Sequence, residues 1–509
     1  RVDLPTYPEV PQIITHPLVA KMSFAGGETI NTGNLPKNRL MWSPRVGFNW
    51  DIYGDRSLQI RGGTGIFTGR VPFVWIVSQS GDNGMIQVTQ FWNGQSNTPG
   101  PFNPNPAAYR PSVVPTAGTI VPGSITALVE DFRNPQTWKT TLAIDTRLGK
   151  GIVGTLEGIF NKDVNTAIFR NPNMIAPAAL NIAGYPDNRP MYGTTNQTRF
   201  INTLNNGIPQ AGASGAFNTV VLDNGNRGYY FSLTAKVEKT YSKGFAWSVA
   251  YTKSMASNLF DGGGDQPLSA WQGTANVFGP NAPMLSYADY VIPDRVVATL
   301  SYRKEYFKNL ATTISAFYNG GINGRFSYVY DGDFNRDGVQ GNDLMYIPTA
   351  TEVQQMQFGA NTVNGVAYGQ NDQRALFERY IQQDKYLRAH RGQFAERNGA
   401  QLPWLNRLDV KILQDLFANI KGTKNVLQFS IDIFNAGNLI DPGWGKLKTI
   451  NNSRVLAITN ANNLIPGGTV LPIYRLASAN GDIITKTFRD NVSIASTYSI
   501  QFGLRYIFN

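Results

Sequence analysis

Along this chain apolar and polar residues alternate with a period of two, in stretch after stretch. Near the start, Val46, Phe48, Trp50 and Ile52 interleave with Arg45, Gly47, Asn49 and Asp51. At the end, Tyr498, Ile500, Phe502, Leu504, Tyr506 and Phe508 interleave with Ser499, Gln501, Gly503, Arg505 and Asn509, with Ile507 the one apolar residue on the polar side. Such alternation marks a β-strand with two different faces. The same pattern runs through 56–67, 137–148, 151–160, 228–239, 244–253, 406–413 and 425–434, and more weakly through 294–303 and 309–318. These make about eleven strands, most of them near the ~10 residues that a membrane-spanning strand needs.

The links between them alternate too. Short links follow Ile52, Leu148, Tyr241, Arg303 and Leu416, and long ones fall at roughly 69–135, 163–226, 255–290, 331–402 and 438–494. A soluble β-sandwich or propeller also alternates along its strands, but it has no systematic succession of short and long links, and structureless loops of this length are uncommon in compact domains. A transmembrane β-barrel has short turns at one end and long loops at the other. The fold expected is therefore all-β: a transmembrane antiparallel β-barrel with long extracellular loops. In hydrocarbon only helices and closed barrels satisfy their backbone groups. The Arg, Lys, Asp and Glu of the polar faces must then turn away from lipid, where Arg or Lys would cost ~2–4 kcal/mol near the midplane. Trp50, Trp138, Tyr251, Tyr506 and Phe508, near strand ends, suit interfacial girdles.

Composition narrows the function classes. Charged residues are only 16% of the 509 and aromatics 12%. There is no cysteine, which removes thiol catalysis and cysteine-held zinc, and the two histidines, His16 and His390, lie far apart. No run of about 18 apolar residues marks a transmembrane helix. The net charge of +11 comes from singly scattered Lys and Arg rather than a basic stripe, so nucleic acid is not an expected partner. No set of residues suggests catalysis, and no enzyme is expected. The chain opens at Arg1 without a leader and reads as part of a longer protein.

Several stretches resemble the Oar-like TonB-dependent receptors: "LMWSPRVGFNWDIYGDRSLQIRGGTGIFTGRVPFVW" at 40–75, "DFNRDGVQGNDLMYIP" at 333–348, "SIDIFNAGNLI" at 430–440 and "LRYIFN" at 504–509. The resemblance implies a barrel of 22 strands with an N-terminal plug and a TonB box. The chain would then be the C-terminal part of the β-barrel over 1–509, with plug and N-terminal strands absent from this sequence. It also implies a TonB-dependent outer-membrane receptor in the bacterial cell outer membrane that takes up a bulky nutrient (peptide, glycan or chelate). Its partners would be outer-membrane lipid, TonB through the missing N-terminal part, and a surface lipoprotein cap. A surface adhesion, signalling or structural protein anchored by the barrel, or a plugless pore, are the alternatives.

Two candidate sites stand out. In "DGDFNRDGVQGND" the oxygen-bearing Asp333, Asn335 and Asp337 fall at positions 1, 3 and 5 of a calcium loop and Gly338 at its turn. Leu344 occupies position 12, where a bidentate acid belongs, so Asp331 or Asp343 is expected to complete the shell around Ca2+. The alternative is an Asx-rich turn bonded to its own backbone. Calcium would pin a loop expected to have little core of its own. In the first long loop Trp75, Phe91 and Trp92 offer either stacking faces for a ligand or rings for the loop's own packing. "DGGGD" at 261–265 lacks ligand spacing and "GGTG" at 62–65 lacks the Lys-Ser/Thr of a phosphate loop.

Overall fold

The computed structural model describes residues 2–3, 15–86, 100–110, 115–420 and 423–508. One sheet dominates it. Its path runs through β1 (Arg45–Asp51), β2 (Leu58–Thr68), β3 (Gln136–Gly149), β4 (Ile152–Arg170), β5 (Gly228–Ser242), β6 (Phe245–Asn258), β7 (Asp294–Tyr306), β8 (Leu310–Ile322), β9 (Trp404–Ile420), β10 (Thr423–Phe434) and β11 (Ser499–Ile507). Each strand is antiparallel to the one before it. Each alternating stretch of the sequence supplies one strand of this path. Among the described residues β1 and β11 do not pair with each other, so both are edges.

The short links are turns whose residues explain them. Lys150–Gly151 and Lys243–Gly244 join β3 to β4 and β5 to β6, and all four residues have positive φ. Two successive positive φ values define the type I′ turn, whose twist matches that of the flanking strands.

The two faces of the sheet differ as the alternation requires. Leu142, Ile144, Leu156, Leu233, Val249, Leu300, Ile314, Phe429, Phe502 and Leu504 are exposed large apolar side chains. Register places them in rows: Phe429 lies opposite Leu504 and Ile431 opposite Phe502, whereas Gln428 lies opposite Arg505 and Asp432 opposite Gln501. Trp50 and Tyr506 lie toward the short-turn ends of their strands and Trp138 toward the long-loop end, whereas Tyr251 lies at the middle of β6. From Trp138 to Leu148 a tilted strand rises roughly 25 Å, the height of the apolar band of an outer-membrane barrel.

The polar face is laced by ion pairs across strands. Arg61 faces the small Ala143, which leaves its guanidinium room to reach Asp145 at 2.8 Å and Glu157 at 3.0 Å. Arg303 reaches Asp415 at 2.8 Å and Lys411 reaches Asp432 at 2.9 Å.

Two expectations are corrected. Strand β4 continues to Arg170, ten residues beyond the end of its alternation. Its last five residues pair with Val221–Gly225, the second half of a strand whose first half, Asn218–Leu222, runs parallel to Ser124–Leu128. Outside lipid a strand needs a hydrogen-bonding neighbour but no apolar face, so its pattern fades while its ladder goes on. The long loops, of which that around 331–343 is expected to have little core of its own, instead build two packed bodies beside a third cluster shared with the segment before β1. The larger joins Leu180, Tyr330, Phe377, Tyr380, Val455 and Tyr474, drawn from three different loops. The other joins Val71, Ile76, Phe132, Phe200, Val220 and Trp271, with Val19, Phe24, Ile125 and Phe217 in a cluster of their own. Each loop contributes scattered apolar residues that find partners only in other loops. His16 belongs here as a clamp: its fully buried ring bonds the Ile120 carbonyl at 2.8 Å and the Leu18 amide at 3.2 Å.

Candidate functional site

The loop 331–343 lies where these bodies meet. The Tyr192 amide donates to the Asn335 carbonyl at 2.8 Å, and the Asn276 amide to the Asn342 carbonyl at 2.8 Å. The Arg336 guanidinium donates to the Leu464 carbonyl at 2.7 Å. Three other long loops are thus tied to this one.

Within the loop the carboxylates and amides fold the backbone around themselves. The Gly338 amide donates to Asp333 Oδ2 at 2.9 Å, the Asp337 amide to Asn335 Oδ1 at 2.8 Å, and the Val339 amide to Asp337 Oδ1 at 2.8 Å. Gly338 takes φ +93, a conformation that L side chains rarely adopt. Asp337 Oδ2 accepts from the side-chain amides of Asn335 at 3.1 Å and Asn342 at 3.0 Å.

The remaining two acids part company. Asp331 is half exposed and points to Arg454 at 3.7 Å. Asp343 is fully buried and accepts the Phe334 amide at 2.8 Å. Its other oxygen takes Arg189, equally buried, at 3.3 Å. Arg189 in turn holds Asp187 through two bonds of 2.9 Å and the Leu344 carbonyl at 2.7 Å. Its guanidinium lies over the rings of Tyr330 and Phe334, at 4.9 and 4.5 Å from their centroids.

Among the described residues no three Asp, Glu or His side chains gather as a metal-binding group. Yet the loop carries more negative charge than its own cations relieve. Burial pushes Asp333 up to about 6, helped by the nearby Asp337. Burial likewise raises Asp337, and it pushes Asp343 up to about 8 although Arg189 opposes the shift. Asp333 Oδ1 and Asn342 Oδ1 are buried without a hydrogen-bond partner, a state that ordinarily signals a missing water or ion. Asp187 and Arg189 carry no motif in the sequence, since a lone Arg two residues after an Asp gives no sign of burial, and Asn342, though inside the acidic stretch, falls at none of its ligand positions.

Trp75 is 6% exposed and packs edge-on against Phe169 and Phe260 at 5.0 and 6.2 Å. A ring so enclosed offers no stacking face to a ligand. Phe91 and Trp92 lie outside the described residues.

An antiparallel sheet of consecutive neighbours, apolar and exposed on one face and charged on the other, is the wall of a membrane β-barrel. The chain belongs to the family described as "Outer membrane beta barrel domain", whose model matches residues 7–463, and so to the outer membrane. No curated protein matches it in sequence. It is similar to the solved outer membrane transporter YddB of Escherichia coli, with 10% identity and a TM-score of 0.41, over 93% of this chain and 41% of that one. It is similar also to a mutant of the ferric enterobactin receptor PfeA of Pseudomonas aeruginosa, with 7% identity and a TM-score of 0.35, over 92% of this chain and 39% of that one. The chain therefore spans about two-fifths of the length of either.

Proposed function

We propose that this chain is the C-terminal half of the barrel of an Oar-like TonB-dependent receptor, with its long loops on the cell exterior, and that the whole protein imports a bulky nutrient past a plug. The observation that carries this reading is that β1 and β11, on a sheet with a lipid-type face, each lack an outer partner among the described residues. Unpaired backbone groups in hydrocarbon cost several kcal/mol each, which supports a wall completed by further strands. The stretches at 40–75, 333–348 and 430–440 support a receptor of about twice this strand number. TonB would engage the part upstream of these strands, and a surface lipoprotein would cap the loops.

A bilayer recording separates this reading from its rivals. Full-length protein in a planar bilayer is expected to be electrically silent and to bind the periplasmic domain of TonB. A steady large conductance without TonB binding makes it a plugless pore. Silence without TonB binding makes it an anchored surface protein.

We further propose that calcium, at the millimolar levels outside cells, balances the charge of the 333–343 loop through Asp333, Asn335 and Asp337. Weak sites of about 10⁻⁴–10⁻³ M suffice there. The pH dependence follows from the raised carboxylates. Asp333 titrates near 6 in the folded loop against 3.8 for the free side chain, and Asp343 near 8. Between those limits the folded loop binds more protons than the unfolded one, so its stability rises as pH falls. In chelator, protection of the loop from protease is expected to increase from pH 8 to pH 5. Millimolar calcium should restore that protection at pH 7.5 and add little at pH 5. Calcium without effect at pH 7.5 leaves the motif a hydrogen-bonded turn.

A further inference from the structure

Three of the long loops line a cavity of about 290 Å³ beside the acidic loop, with Tyr330 between the two. Its wall is made of Tyr185, Tyr330, Tyr346 and Tyr474 with Met356 and Pro472, and its one charged residue is Glu352. No Lys, Arg or His lines it among the described residues. Glu352 caps the helix Ala350–Gln355, accepting the Thr349 amide at 2.7 Å, and it accepts the Tyr346 hydroxyl at 3.2 Å. A carboxylate has about four acceptor sites, so capacity is left over, and no cation pairs with it among the described residues. Behind the Tyr330 wall, Arg189 is held by Asp187 and adds no cation to the lining of the cavity.

From this arrangement we infer that the cavity captures one cationic side chain, Arg or Lys, of a peptide presented at the cell surface. Tyr330 and Tyr474 are buried, and Tyr330 already carries Arg189 over its ring, so the half-buried Tyr185 and Tyr346 offer the accessible aromatic surface. Aromatic faces attract a cation through their quadrupole, and the Glu352 carboxylate supplies the counter-charge. The cavity is partly open to solvent and has room for a single extended side chain whose main chain stays outside. Gln355 and Gln357 add amide groups to the lining, suited to the peptide main chain on either side. The inference rests on the import reading only for its consequence, a preference for basic peptides; the capture itself is a property of the loops.

The test is binding to purified full-length protein in detergent, read by saturation-transfer NMR with Nα-acetyl-arginine amide and Nα-acetyl-norleucine amide. The arginine probe is expected to bind at least tenfold more tightly than its uncharged counterpart. Glu352→Gln should abolish that preference, and because Gln also serves in a capping box, the helix keeps its cap. Equal affinity for the two probes, binding of neither, or a preference that survives Glu352→Gln overturns the inference. No TonB or energy source enters this measurement. A protein that fails to transport but prefers the arginine probe contradicts only the import reading, and a working importer without the preference contradicts only the cavity's assignment.

Discussion

Replacing Arg189 with alanine is expected to loosen the outer layer of loops while the barrel strands stay folded. Arg189 is fully buried, and it is the cation that lies between Asp187 and Asp343, which sit on two different long loops. Removing one partner of a buried ion pair costs about 3–5 kcal/mol, because the other charge is left desolvated. The rings of Tyr330 and Phe334 lose their cation at the same time. Asp343 already titrates near 8 with Arg189 beside it, so it gives up its proton only in alkaline solution; without Arg189 it rises further and keeps the proton there, or stays charged with no cation beside it. The loss should therefore be larger at pH 9 than at pH 6. Hydrogen exchange is the appropriate readout: amides in 176–192 and 328–347 should lose protection while those of β5 to β8 keep theirs. Asp343→Asn, which removes charge and keeps a hydrogen-bonding side chain, should be milder alone and should partly rescue Arg189→Met. Unchanged exchange in Arg189→Ala would mean that the outer layer does not depend on this charge.

The second large effect belongs to the lipid face. Phe502 and Leu504, 66% and 73% exposed, lie near the middle of β11 on the side shared with Phe429 and Ile431. Phe502→Arg should destabilise the full-length barrel in phospholipid vesicles by ~2–4 kcal/mol, the cost of a guanidinium at midplane. Gln501→Arg, one residue away, should change stability little, because residue 501 faces Asp432 across the strand pair. Denaturant titrations of vesicle-inserted protein measure both. Equal losses at 501 and 502 would show that the sheet does not divide lipid from water. Gly503 is a poor site for such a comparison, since a Cβ there would come within 2.5 Å of Ser430 Oγ.

The barrel strands were legible because lipid imposes a local rule. Each residue facing hydrocarbon must be apolar and each neighbour need not be, so Tyr498 to Phe508 or Trp138 to Leu148 declare their faces without reference to any other part of the chain. The turns were legible for the same reason, since Lys150–Gly151 needs only its own backbone angles. Where the membrane ends, the rule ends: β4 runs on from Asn161 to Arg170 with nothing in its pattern to mark it.

The calcium-type loop shows the boundary between the two kinds of information. Sequence spacing placed Asp333, Asn335, Asp337 and Gly338 around one turn, and that turn forms, because its hydrogen bonds span only two to five residues. Sequence spacing had no means of choosing between Asp331 and Asp343 as the further acid. The tertiary structure separates them, turning Asp331 out toward Arg454 and burying Asp343 on Arg189, 154 residues away. Trp75 and the cavity around Glu352 are decided in the same way, by residues that distant loops bring alongside. Local periodicity against lipid, then, determined where this chain crosses the membrane and which way each strand faces. Only the packing of loops against one another decided what is built above it, because burial there depends on partners tens to hundreds of residues apart.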